Sequence, residues 1–221
     1  MNILIIHAHP EPASFNAAMT ERARDTLARL GHDVVVSDLY RMGFDPVSDR
    51  RNFTGEADGA YLKMQAEELR ASATGGFVPQ VQAEIDKLLA CDVLIFQFPI
   101  WWLGLPAILK GWIDRVFACG MVYGGGRYFD TGVLRGKRAM CALTVGGPQE
   151  VYSEAGLYAD VEQILFPIHR GTFGFTGMTA LEPFVVYGPN RMEDAARRAE
   201  LDRYAHHLEQ LDQARVLPMP G

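Results

Sequence analysis

Asp92-Val93-Leu94-Ile95-Phe96-Gln97-Phe98-Pro99-Ile100-Trp101-Trp102-Leu103-Gly104-Leu105-Pro106 is the stretch whose reading decides the fold. After Asp92 comes an unbroken apolar run with no polar face to turn to water, the pattern of a parallel strand buried on both sides. Pro106 fits the first turn of a helix, where its missing N–H costs nothing. Ile108, Leu109, Trp112, Ile113, Val116 and Phe117 then recur at helical spacing. Between strand and helix lies a Pro- and Gly-bounded loop with two adjacent tryptophans. Adjacent side chains do not easily share one core, and a bare Trp leaves roughly 150–250 Å² of apolar surface in water. Two readings stand level here: tryptophans divided between core layers, or an aromatic wall covered by something flat.

The same alternation extends to both sides. Residues 2–7 form an apolar first strand. A helix follows from Ser14 to Leu30, with Ser14 a favoured N-cap type, Met19, Ala23, Leu27 and Leu30 as its stripe, and Gly31 as its stop. Residues 33–37 make a second strand, so the spacing implies a right-handed crossover and parallel pairing. Residues 41–78 are irregular, with a weak helix over about 60–73, and a connection of that length is normally functional or interface-forming. A helix over 81–89 leads into the central strand. Residues 120–136 form a loop holding Tyr123 and Gly124-Gly125-Gly126. A fourth strand covers 137–145, a helix 154–165, and the last strand falls in either 171–175 or 180–186. A closing amphipathic helix runs over 192–211, where Arg197 and Arg198 most simply serve a solvated face. The tail over 216–221 is non-helical. The expectation is one α/β domain over 1–221, a doubly wound five-stranded parallel sheet in the order 2-1-3-4-5 with helices on both faces.

Composition narrows the function. With 221 residues and a net charge of −6, and with basic residues scattered rather than striped, the chain has no nucleic-acid footprint. No stretch reaches the ~20 apolar residues of a membrane span, and the N-terminus reads as a strand, not a signal. Three widely spaced cysteines argue against a disulfide framework or a zinc site and for a reducing cytoplasm. His206-His207 are adjacent, face differently and make a poor metal pair, so no metal site is expected.

In a sheet of this order ligands bind beyond the carboxyl ends of the strands, where strand order reverses. Three loops meet there: 9–16, 99–105 and 144–153. The first lacks G-x-G-x-x-G, but the helix start at 14–16 offers free backbone donors to a phosphate, with His9 beside it; the plainer alternative, in which Ser14 only caps the helix and His9 is solvated, stands slightly ahead on these residues alone. His7, inside the strand, reads as a packed core residue. The second loop offers Trp101, Trp102 and the N–H groups of 100–104. The third offers Thr144 and Gly146-Gly147, which let a ring approach the backbone closely, followed by Tyr152 and Tyr158. An anion site, an aromatic wall and a glycine floor at one switch point fit a flavin nucleotide. No serine stands in a nucleophile elbow.

His9 with Ser14-Phe15-Asn16, Ser37-Asp38-Leu39-Tyr40, Phe44-Asp45-Pro46, the run from Phe96-Gln97-Phe98-Pro99 to Arg115-Val116-Phe117, residues 144–153 and Leu181-Glu182-Pro183 together resemble the flavodoxin-like NAD(P)H:quinone oxidoreductases. The resemblance implies a flavodoxin-like fold, a homodimer, FAD rather than FMN near the subunit interface, and ping-pong hydride transfer from NADH or NADPH to quinones or similar small aromatic acceptors. It assigns His9, Ser14, Phe15 and Asn16 to the flavin phosphates. Pro99, Ile100, Trp101, Trp102 and Leu103 would line the ring, and Thr144, Gly146, Gly147 and Tyr152 would form its polar floor. Arg197 falls on the adenosine side. Tyr152 and Tyr158 are the catalytic positions, and Tyr123, Gly147 and Trp102 the acceptor side.

The chain also departs from the mammalian members. Tyr158 stands where they have a histidine, and a phenol has no cationic form near neutrality. Gly125 replaces one of two tyrosines framing the quinone, which implies a wider acceptor pocket. Trp101 replaces a glutamine, and the mammalian C-terminal extension has no counterpart. Two other flavoprotein roles stay open at this level: an ancillary subunit of a potassium-efflux system, and a one-electron carrier. The carrier has little use for a spacious acceptor pocket.

Overall fold

The computed structural model describes residues 1–218. Strands β1 (Asn2–His7) and β2 (Asp33–Asp38) flank α1 (Phe15–Arg29) in sequence and pair in parallel. Helices α2 (Met64–Thr74) and α3 (Pro79–Ala90) precede β3 (Val93–Pro99), whose seven residues are all buried. β3 lies between β1 and β4 (Arg138–Val145), parallel to both, and α4 (Ala107–Val116) joins it towards β4. Short helices α5 (Val161–Ile164) and α6 (Phe166–Ile168) run into a π-helical turn, His169–Gly174. The fifth sheet position is shared by β5 (Thr179–Ala180) and β6 (Phe184–Tyr187), paired with the start and end of β4. Pro183, which has no N–H for a ladder, lies in the break between them. The order 2-1-3-4 and a split fifth strand matches the flavodoxin-like expectation. Of the two candidate last strands, 180–186 contains the pairing residues, and 171–175 belongs to the π-helical turn.

The period-2 alternation of β1 divides the core. Ile3 and Ile5 pack with Met19, Ala23 and Leu27 of α1 and with Tyr204 and Leu208 of α7 (Asp194–Glu209). Leu4 and Ile6 pack on the other face with Val81, Ile85 and Leu88 of α3 and with Leu109 and Trp112 of α4. The third tryptophan, Trp112, is fully buried, and its indole N–H donates to Glu84 Oε2 at 2.8 Å. Glu84 also accepts from Ser37 Oγ at 3.1 Å and from Lys87, so this buried carboxylate is fully partnered.

Local chemistry explains where elements start and stop. Ser14 Oγ accepts from the Ala17 N–H at 3.1 Å and caps α1, and Gly31 (φ 82°) ends it. The helix expected from about 60 begins instead at Met64, because Asp58 Oδ1 captures the N–H groups of Ala60 and Tyr61 in a turn. The helix expected over 154–165 begins only at Val161. Residues 154–160 double back, with Tyr158 N–H bonded to Val151 O at 2.9 Å. A Cβ on Gly156 would stand 2.5 Å from Glu150 O. The irregular 41–55 segment is anchored on α4. Arg115, 3% exposed, donates to Asn52 Oδ1 at 2.6 Å and Asp45 O at 2.5 Å. The tail runs extended, Leu217 N–H bonding Ala180 O at 2.9 Å; its last residues, 219–221, lie outside the described residues. Among the described residues no helix is long and apolar enough to cross a membrane.

Candidate active site

The carboxyl ends of β1, β3 and β4 open on a cleft of about 490 Å³. His9, Ser14, Phe15 and Asn16 reach it from the β1–α1 turn, Pro99, Ile100 and Trp101 from β3, Thr144 and Gly146 from β4, and Arg197 from α7. Parallel pairing ends these strands level with one another, so the turns that follow them meet in space.

At one wall is the start of α1. The N–H groups of Phe15 and Asn16 have no acceptor within the helix, since Ser14 satisfies only Ala17. His9 Nδ1 accepts from the Glu11 N–H at 3.0 Å, which leaves Nε2 as the ring's donor. His9 and Trp101 lie with ring centroids 6.1 Å apart. His7, by contrast, is a core residue beside Thr20 Oγ1 (2.8 Å), and burial pushes its pKa down.

The tryptophan loop is a tight turn. Trp101 and Gly104 exchange backbone hydrogen bonds of 3.1 and 3.0 Å, and both central residues, Trp102 and Leu103, have positive φ (53° and 54°). A non-glycine pair there stores strain, a frequent mark of functional loops. The turn also corrects one expectation. The N–H groups of Ile100, Trp101 and Gly104 are already bonded within the protein, so only those of Trp102 and Leu103 remain free along 100–104. Trp102 is fully exposed and, with Leu103, stands outside the cleft's lining. The even choice between core and cover is thereby decided against the core for both adjacent tryptophans, since Trp101 is also 40% exposed.

The two glycines after β4 differ. A Cβ on Gly146 would meet nothing within 4 Å, an open cradle facing the cleft. A Cβ on Gly147 would stand 2.9 Å from Val151 Cγ2 and 3.1 Å from Tyr152 Cε2, so that glycine serves packing within its own loop. The expected two-glycine floor is therefore one glycine wide. Tyr152 is buried against Tyr158 (centroids 5.3 Å) and Tyr187 (6.1 Å), and its pKa is raised by burial and then by Tyr158. Neither Tyr152 nor the half-exposed Tyr158 lines the cleft. Tyr123 lines a different cleft, about 390 Å³, together with Phe117, Phe175 and the buried carboxyl of Glu68. Burial, then Glu68, raises the Tyr123 pKa.

Arg197 is not on an open solvated face: its guanidinium bonds Pro189 O at 3.3 Å, Met192 O and Asp194, and so fixes the turn after β6 against α7. That turn brings Pro189 and Asn190 into the cleft, two lining residues the sequence reading missed. Their signal was the Gly188-Pro189-Asn190 turn after the last strand, with Gly188 at φ 59°. Val145, the last residue of β4, also lines the cleft. Among the described residues no group of His, Cys, Asp and Glu is arranged to hold a metal ion.

Residues 1–208 match the model of a family with the flavodoxin-like fold. A NAD(P)H dehydrogenase [quinone] 1 from Cavia porcellus is 41% identical over 209 residues, 94% of this chain and 76% of its own. The ribosyldihydronicotinamide dehydrogenase [quinone] of Rattus norvegicus is 35% identical, over 95% of this chain and 91% of its own. Among solved structures, the NAD(P)H:quinone oxidoreductase of Methanothermobacter marburgensis superposes with a TM-score of 0.72 at 27% identity, covering 96% of both chains. With the sheet order, the switch-point cleft and full-length similarity agreeing, the chain belongs to the flavodoxin-like NAD(P)H:quinone oxidoreductase family.

Proposed function

We propose that the switch-point cleft binds FAD and that the protein, as a homodimer, transfers two electrons from NADH or NADPH to a quinone in two successive half-reactions. The observation that carries this reading is the convergence on one cleft of a free helix N-terminus, an exposed tryptophan and a glycine with room above it. Those features fit a flavin nucleotide. The Phe15 and Asn16 N–H groups and His9 Nε2 form a donor set for phosphate, strengthened by the α1 dipole. Ile100 and Trp101 offer an apolar wall to a flat ring, and Gly146 permits close approach to the backbone. The cleft continues past the phosphate donors to Asn190 and Arg197, which favours a dinucleotide over FMN. Flavin, when bound, supplies the chemistry of accepting a hydride from the nicotinamide and passing it to the quinone.

The residues position partners rather than attack them. Stacking beside Trp102, at the rim of the cleft, would orient donor and acceptor in turn, so catalysis is mainly by proximity. Tyr152 and Tyr158 stand outside the lining of the cleft and would act as phenol donors for developing negative charge from its rim. With no cationic form available to Tyr158, they stabilise that charge by hydrogen bonding alone. Tyr123 lines a second cleft of the same chain; in the proposed homodimer it would serve the acceptor site of the other copy, and the exposed Trp102 and Leu103 are suited to such a contact. The three cysteines are free and buried, which suits a reducing cytoplasm.

The test is the absorbance spectrum and mass of the cofactor released from purified protein, followed by steady-state oxidation of NADH and NADPH with menadione. The expected result is yellow protein that releases FAD and turns over with parallel-line kinetics. A colourless protein that takes up neither FAD nor FMN overturns the reading.

A further inference from the structure

Beneath the cleft a chain of three buried side chains crosses from β3 to β4. Gln97 Nε2 donates to Asn16 Oδ1 at 2.9 Å, and Asn16 Nδ2 donates to Thr144 Oγ1 at 2.8 Å. Their exposures are 0%, 3% and 5%. Thr144 lines the cleft, whereas Gln97 does not.

The direction of the chain follows from what lies at its inner end. Gln97 Nε2 faces Met19 Sδ at 3.6 Å with its second hydrogen, and Gln97 Oε1 is buried without a partner. Rotating the amide by half a turn would aim the oxygen at sulfur and leave two N–H donors unsatisfied instead of one acceptor. Two buried unpaired donors cost more than one unpaired carbonyl, so the orientation with Nε2 outward is fixed. Asn16 must then receive with its oxygen and give with its nitrogen. Thr144 Oγ1, having accepted from Asn16, holds a hydrogen with no acceptor on the protein among the described residues, and because Thr144 lines the cleft that hydrogen is available to a group bound there.

We propose that Gln97 is a positioning residue: through Asn16 it fixes the Thr144 hydroxyl as a hydrogen-bond donor into the cofactor cleft. The inference rests on the flavin reading above and deepens it, because it specifies that an acceptor atom of the bound nucleotide meets Thr144. The organisation is economical in a physical sense. Asn16 and Thr144 both line the cleft, and the polarity of the pair is set from Gln97, which is fully buried behind them.

The experiment uses protein stripped of flavin, with FAD binding followed by quenching of flavin fluorescence and folding checked by melting temperature. Gln97→Met keeps the volume and lies beside Met19, but removes the donor that polarises Asn16. Thr144→Val removes the hydroxyl, and Thr144→Ser keeps it. A net hydrogen bond corresponds to about a tenfold change in Kd. Thr144→Val is expected to bind FAD about tenfold more weakly, Thr144→Ser like the wild type, and Gln97→Met several-fold more weakly. The double variant Gln97→Met with Thr144→Val is expected to bind no more weakly than Thr144→Val alone, since Gln97 acts only through that hydroxyl.

If the two losses multiply in the double variant, Gln97 acts elsewhere and the proposal is overturned while the flavin reading stands. If Gln97→Met fails to fold, the threonine pair decides. Valine binding as well as threonine removes the donor and with it the proposal. Wild-type protein that binds neither FAD nor FMN overturns both readings together.

Discussion

Gly146→Ala separates the stability of this protein from its cofactor binding. Gly146 has an ordinary backbone conformation, absent from the residues at positive φ, and a Cβ there touches nothing within 4 Å. Replacing such a glycine restricts mainly the unfolded chain, which stabilises the fold by about 0.4–1 kcal/mol. The new methyl occupies the floor of the cleft, where the proposed flavin needs the backbone itself. Forcing a methyl group into a filled contact costs about 1–3 kcal/mol, or roughly 5- to 150-fold in Kd. Urea denaturation of flavin-free protein and fluorescence titration with FAD read the two effects independently. Gly147→Ala is the internal control. Its Cβ would press on Val151 and Tyr152, so it should lower stability as well as binding. If Gly146→Ala leaves FAD affinity at the wild-type value, or destabilises the empty protein by more than about 1 kcal/mol, Gly146 is not a cradle for the flavin.

Further outcomes follow from particular contacts. Gly111→Ala gains up to about 1 kcal/mol of helix propensity, but its Cβ would stand 2.2 Å from Pro46 O and 2.4 Å from Pro46 Cα. Clearing that backbone also disturbs the Arg115 bond to Asp45 O, so a net loss of about 2–4 kcal/mol is expected in urea melts; an unchanged midpoint would refute the close packing. His169 is buried with Nε2 unpaired, and burial lowers its pKa to about 4. The unfolded chain therefore binds the extra proton first, and stability declines as pH falls from about 6.5 towards about 4. His169→Leu should flatten that decline, and an equally steep decline in the variant would show that another group is responsible. Tyr158→Phe should slow flavin reduction in stopped-flow traces without adding or removing a pH dependence near neutrality; a steep neutral-pH transition that persists in the variant would refute the role given to Tyr158. Trp102→Ala should raise KM for menadione; the side chain is fully exposed in the single chain, so a fall in melting temperature beyond about 1 °C would report the lost contact with a second copy. Unchanged KM would remove Trp102 from the acceptor side.

The sequence alone determined the first four sheet positions, and left the last strand open between 171–175 and 180–186. Unbroken apolar runs at β1, β3 and β4, separated by helical spacing, admit few arrangements, because short crossovers are right-handed and central parallel strands are buried on both faces. It also determined which turns gather at the switch point, since strand order dictates which carboxyl ends are neighbours. The motif from Gln97 to Trp112 carried the family resemblance. Three-dimensional packing decided what a pattern cannot encode. Gly146 and Gly147 are equivalent letters, yet one faces open space and the other a tyrosine ring, because only the second has the 151–152 turn folded over it. Gln97, Asn16 and Thr144 lie far apart in sequence, and their union needs β3, α1 and β4 in register. Trp101 and Trp102 read identically, but a turn with two positive φ values sends one to the cleft and the other to solvent. Periodicity reports which face of an element meets the core. The partner of a polar atom depends on distances across elements, and those exist only once the chain has folded.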